Sequence, residues 1–169
     1  MKAESEILVF ILLFLLSIGL FTIAVFWSKD IFQQNVDMTK VSTAEKFMKD
    51  IDHAIKSLIK FGGYEEIDYE VDGPITLIDN ETIEVRTVVI SEISLSRYWN
   101  NISSDSSYIR EMLDGDVFRI QLIYPENGYK IDFFTEGPTL AKPKLVRVEK
   151  NSTTIENNKA TIQIRITFI

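Results

Sequence analysis

Hydrophobic positions along this chain fall into three regimes with different periods. From Ile7 to Trp27 the sequence ILVFILLFLLSIGLFTIAVFW carries no charge, and Ser17 and Thr22 are its only polar side chains besides the indole. Uninterrupted apolar character of this length predicts a membrane-crossing helix, because at about 1.5 Å per residue the run reaches about 31 Å, the thickness of a bilayer core. The two hydroxyls can bond back to carbonyls of their own helix and cost little. Trp27 stands at the downstream edge, where an indole favours the membrane interface, and Lys29 and Asp30 then end the span. The run is too long for the core of a cleavable signal peptide, and no A-x-A site follows it, so a retained anchor is expected.

From Ile31 to Phe61 there is neither Pro nor Gly, and the period becomes helical. Val41, Ala44, Met48, Ile51, Ile55 and Leu58 recur at intervals of three and four, which is one stripe of an amphipathic helix, and Phe47, Ala54 and Phe61 widen it. Glu45 with Lys49 and Lys46 with Asp50 add opposite charges four apart. Gly62-Gly63 provides a left-handed stop. Between the two helical regimes, residues 30–40 either continue the first helix as a stalk or break near Asp37. An unbroken helix over about residues 4–61 would span about 85 Å. The stripe itself has two readings, packing on a sheet of the same domain or a coiled-coil seam with another chain. Its width favours the first.

Past Gly63 the period falls to two. Residues 75–78 and 82–90 predict a hairpin around Asp79-Asn80, and Val117–Tyr124 predicts a strand with Phe118, Ile120, Leu122 and Tyr124 on its apolar face. A turn at Pro125–Gly128 returns the chain through Tyr129–Phe134. Lys144–Val148 and Thr161–Ile169 predict a last pair across a loop at 151–158, and Ser104 or Asp105 is placed to cap a short helix through Leu113. The count is six to eight strands, with short links that favour antiparallel neighbours. The expected class is α+β, a long N-terminal transmembrane and amphipathic helix packed on an antiparallel β-rich head. It divides into an anchor (1–30), an amphipathic helix (31–63) and an extracytoplasmic β-rich domain (64–169).

Composition narrows the chemistry. The formal net charge is −7, so the basic footprint that nucleic-acid binding needs is missing. No cysteine occurs, which removes disulfides, thiolate metal sites and Cys nucleophiles. His53 is the one histidine and reads as a partly exposed helix residue. No G-x-S-x-G, Walker A or G-x-G-x-x-G pattern is present. Glu66, Asp68 and Glu70 alternate along one strand as a solvated face, and no calcium-loop spacing accompanies them. Tyr98-Trp99 reads as core packing ahead of a loop anchor or a binding edge. No catalytic residue, cofactor or metal is expected, and the chain is read as no enzyme.

Topology follows from weaker signals. Lys2 and the terminal amine nearly balance Lys29 and Lys40 under the positive-inside rule. Asn80-Glu81-Thr82, Asn101-Ile102-Ser103 and Asn151-Ser152-Thr153 are N-glycosylation sequons in expected turns or loops, and they tip the head outside the cell.

The N-terminal acids Glu4 and Glu6, the apolar helix Ile7–Trp27, its amphipathic continuation Val41–Phe61, the glycine stop and the β-rich head resemble archaeal type IV pilin-like proteins. The opening ESEILVF is also similar to membrane-anchored archaellum stator-type subunits. The resemblance covers the first sixty residues in architecture and the head by class only. It implies a glutamate near mature position five that registers subunits in a filament. Glu6 holds that place if Lys2 is the first mature residue, whereas cutting after Ala3 leaves it at position three. A carboxylate in an apolar bundle needs a partner such as a neighbour's terminal amine, and that need enforces one stagger. There is no basic leader ending in Gly ahead of the helix, so either the chain is already processed or the anchor is uncleaved. The partners implied are membrane lipid, identical or related pilin-like subunits, or a surface-layer protein. Two readings follow: a pilin-like or envelope-anchored structural or adhesion subunit, or a membrane-tethered ligand-binding or sensor module with an apolar pocket in its head.

Overall fold

The computed structural model describes residues 2–104, 107–126, 128–136, 140–156 and 159–169. One helix, α1 (Lys2–Phe61), runs from the N-terminus into the head. It does not break near Asp37. No Pro or Gly interrupts residues 20–61, and the Asp37 side chain finds partners outside the helix. Gly62 closes it with φ at +69°, its N–H bonding the Leu58 carbonyl at 2.8 Å.

Ten strands follow among the described residues: β1 (Tyr64–Asp68), β2 (Ile75–Asp79), β3 (Thr82–Val88), β4 (Asn100–Ser104), β5 (Tyr108–Asp114), β6 (Val117–Ile123), β7 (Tyr129–Glu136), β8 (Leu140–Ala141), β9 (Leu145–Glu156) and β10 (Lys159–Phe168). They form a four-stranded sheet in the order β1-β9-β10-β7 and a six-stranded sheet in the order β4-β5-β6-β3-β2-β8. The molecule is α+β, and α1 packs on the inner faces of both sheets. The stripe residues Val41, Ala44, Met48, Ile51, Ile55 and Leu58 are all buried, as are Phe47 and Ala54. Against them stand Ile83, Val85, Ile109, Phe118, Ile120 and Leu122 from one sheet and Ile131, Phe133, Val146, Val148 and Ile164 from the other. The stripe is therefore an intramolecular packing face. Phe61 does not widen it: this side chain is 84% exposed.

Three expectations are corrected. No helix forms over 107–113. Tyr108–Leu113 alternates with Ile109 and Glu111 buried, and Gly115, at φ +62°, makes the turn that pairs β5 with β6 rather than ending a helix. The capping role given to Asp105 lies outside the described residues. Second, β7 does not return beside β6. Pro125 offers no N–H to prolong that ladder, and β7 crosses to the other sheet to pair with β10 in parallel, which makes that sheet mixed. Third, residues 151–156 are not a loop. Thr153, Thr154 and Ile155 suit a strand, and they extend β9 as one arm of a long hairpin with β10.

Candidate functional site

The feature with the least explanation inside the head is the first half of α1. Every large apolar side chain from Ile7 to Trp27 is exposed, between 47% and 72%. Ser17 Oγ donates to the Leu13 carbonyl and Thr22 Oγ1 to the Ile18 carbonyl, both at 2.8 Å, so the segment presents no unpaired hydroxyl. It is a helix long and apolar enough to cross a membrane. Trp27, at its downstream end, is 71% exposed. Glu4 and Glu6 fall within α1, but the registering role assigned to their carboxylates lies outside the described residues.

Above this segment the helix is clasped to the head. Asp37 continues the apolar stripe by one step, four residues before Val41, and its side chain is fully buried. Its Oδ2 accepts the backbone N–H groups of Ile90 at 3.0 Å and Ser91 at 2.8 Å, and the Ser91 hydroxyl at 2.8 Å. Gln33 Nε2 donates to Oδ1 at 3.2 Å, and Lys40 Nζ stands 3.6 Å from the same oxygen. Burial alone would raise the Asp37 pKa. The donors from Ser91, Gln33 and Ile90 outweigh it and hold the carboxyl down at about 2. Lys40 also donates to the Val88 carbonyl at 3.1 Å. The neck is thus fixed at one height on the helix, ten residues or about 15 Å beyond Trp27. The pattern carried a signal for this clasp, an acid in register with an apolar stripe.

A second polar knot joins α1 to the sheet inside the core. Asp52 Oδ1 accepts the Ser107 hydroxyl at 2.7 Å and the Tyr124 hydroxyl, and its Oδ2 accepts Lys56 Nζ at 2.8 Å. Burial, together with the Asp52 charge, pushes the Tyr124 phenol far up, so it remains a donor.

The outer face of the six-stranded sheet holds the residues that sequence reading missed. Glu84 on β3 is fully buried and lies opposite Gln121 on β6. Its carboxylate accepts bonds from Gln121 Nε2, Arg86 Nε and Arg119 Nη2. Burial raises the Glu84 pKa, and these three donors more than reverse it, leaving the group ionised below its usual range. Arg110 Nε donates to Gln121 Oε1 at 2.9 Å. Trp99 covers the row, with the guanidinium carbons of Arg110 and Arg119 at 4.5 and 5.6 Å from its ring centroid. Tyr98 and Trp99 are therefore not core residues: Tyr98 is 84% exposed, and Trp99 stacks outward on arginines. Nothing in the local pattern marked this, because the partners come from β5 and β6.

Of the sequon residues, Asn80 sits at the β2–β3 turn, as expected, and its Nδ2 donates to Asp132 Oδ1 at 2.9 Å. Asn101 and Asn151 stand exposed on β4 and β9 rather than in loops. His53 is exposed on α1 and lines a groove of about 390 Å³ with Asp50, Glu65, Asp68 and Glu70. Glu66, also on that groove, pairs with Arg147. Among the described residues no group of three or more His, Asp or Glu side chains has metal-holding geometry.

Compared with protein-family models, curated proteins and solved structures, the chain matches none.

Proposed function

We propose that this chain is a membrane-anchored structural subunit of the cell surface, of the archaeal type IV pilin-like kind, with its β-rich head outside the cell. The observation that carries this reading is the division of labour within α1. Residues 7–27 leave every large apolar side chain uncovered, while residues 41–58 of the same helix seal the core. An apolar surface of this extent in water has no compensating contact, and lipid or the apolar helices of neighbouring subunits would supply one. The protein then works by anchoring and contact, not by catalysis. The buried side chains of α1 and the two sheets form one continuous hydrophobic cluster, which suits a structural head. Exposure of Asn101 and Asn151 supports an outward-facing head.

Fractionation of cells expressing the full chain tests this. Shearing is expected to release it in filaments, with detergent needed to extract the remainder from membranes. Recovery only from membranes, as monomers, would defeat the filament version and leave an anchored module. Recovery from the aqueous fraction would defeat both.

A further inference from the structure

The outer face of the six-stranded sheet gathers three arginines on an otherwise acidic chain. Arg86, Arg110 and Arg119 stand there with Glu84, Asp114 and, at the β2 end, Asp79, a balance of zero (three cations less three anions), on a chain of net −7. Glu84 and Asp114 engage Arg86 and Arg119. Arg110 has no carboxylate within ion-pair distance among the described residues. Around it lie exposed aromatics, Tyr98 at 84%, Tyr108 at 39% and Trp99 at 36%. Arginine, tryptophan and tyrosine together, on a face rigidified by a buried acid, are the composition of a protein–protein hot spot.

The complementary surface lies where α1 meets β1. Asp50, Glu65, Asp68 and Glu70 line that groove with one cation, Lys46, and none of the four has a Lys or Arg within ion-pair distance among the described residues. The two surfaces stand at one height. Lys40 fixes the Val88 end of β3 to α1. Glu84, four residues up β3 and level with Gln121 and Arg110, is about 13 Å above that point. Asp50, ten residues up α1, is about 15 Å above it.

We infer that the outer face around Trp99 and Arg110 docks on the acidic α1–β1 groove of a second copy of this chain. The inference rests on the membrane-anchored reading, because copies seated in one bilayer share depth and direction and so meet level. The contact joins two different surfaces. It therefore repeats front to back and builds rows rather than closing on a dimer.

The test uses the full chain in phosphatidylcholine vesicles. Because the chain has no cysteine, Thr154→Cys provides one dye position for energy transfer between copies. Transfer is expected to fall as salt rises from about 0.05 to about 1 M. Arg110→Glu, and separately Asp68→Lys with Glu70→Lys, are each expected to weaken association about tenfold, and all three together in one chain should restore it to within about threefold of the parent. Melting curves report folding, since among the described residues the Arg110 side chain meets Gln121 through Nε and stacks on Trp99. No transfer above random mixing, variants that associate like the parent, or a combined chain weaker than either set alone would overturn the inference. Flotation of the same samples separates the two claims: chains on vesicles without transfer overturn this contact alone, whereas chains that leave the vesicles overturn both.

Discussion

The double substitution Leu16→Arg, Leu20→Arg is expected to release the chain from membranes while leaving the head folded. Both leucines lie near the middle of the apolar segment, 58% and 61% exposed, and neither belongs to the core of the head. An arginine near the middle of a spanning helix costs about 3 kcal/mol on insertion scales, so two cost about 6 kcal/mol, roughly ten-thousandfold in partition. The same changes remove no contact in the core, so the melting temperature of the head should stay within about 2 °C of the parent, as for surface substitutions generally. Flotation with vesicles reads the first effect and thermal unfolding the second. A variant that remained membrane-bound would show that another surface holds the chain. A variant whose head unfolded would show that the segment supports the core.

The second large effect is expected at the neck. Asp37→Ala leaves the N–H groups of Ile90 and Ser91 and the Ser91 hydroxyl without their acceptor. Losing several bonds to a buried ionised group should cost about 3 kcal/mol, read as a drop of about 10 °C in Tm. Acid should reproduce part of this in the parent. The folded carboxyl titrates at about 2 against an ordinary value of 3.8. A depressed carboxylate contributes stability that is complete above its unfolded pKa and disappears as pH falls through its folded one. The parent should therefore lose this contribution between about pH 4 and pH 2, and Asp37→Ala should lack that part of the acid sensitivity. Equal acid profiles for the two chains would mean that the clasp is not what holds residues 90–91 to the helix.

How far the pattern of residues could be read depended on whether partners were local. The stripe from Val41 to Leu58 was legible because a helix repeats its own face, and the burial follows it residue by residue. The β2–β3 hairpin and the inward face of β6 were legible for the same reason, with alternation and a turn close together in sequence. Residues 107–113 were misread because Asp114-Gly115 ends a helix and turns a hairpin equally well, and only pairing with β6 decides between them. The parallel match of β7 to β10 joins segments some thirty residues apart, which no short-range signal encodes. The outer-face cluster is further still from local: Glu84 and Arg86 lie on β3, Arg110 on β5, Arg119 and Gln121 on β6 and Trp99 just ahead of β4, and Glu84 looks like an ordinary solvated acid until Gln121 and Arg119 are brought over it. The clasp at Asp37 lay between these cases, visible as an anomaly in the stripe but without its partners.

The most direct test is the behaviour of the unmodified chain with lipid. Mixed with vesicles and washed in alkaline carbonate, it should float with the lipid and come free only in detergent, with Ile7–Trp27 protected from aqueous probes. A chain that stayed in the aqueous fraction as a detergent-free monomer, that segment folded against its own head, would contradict the account.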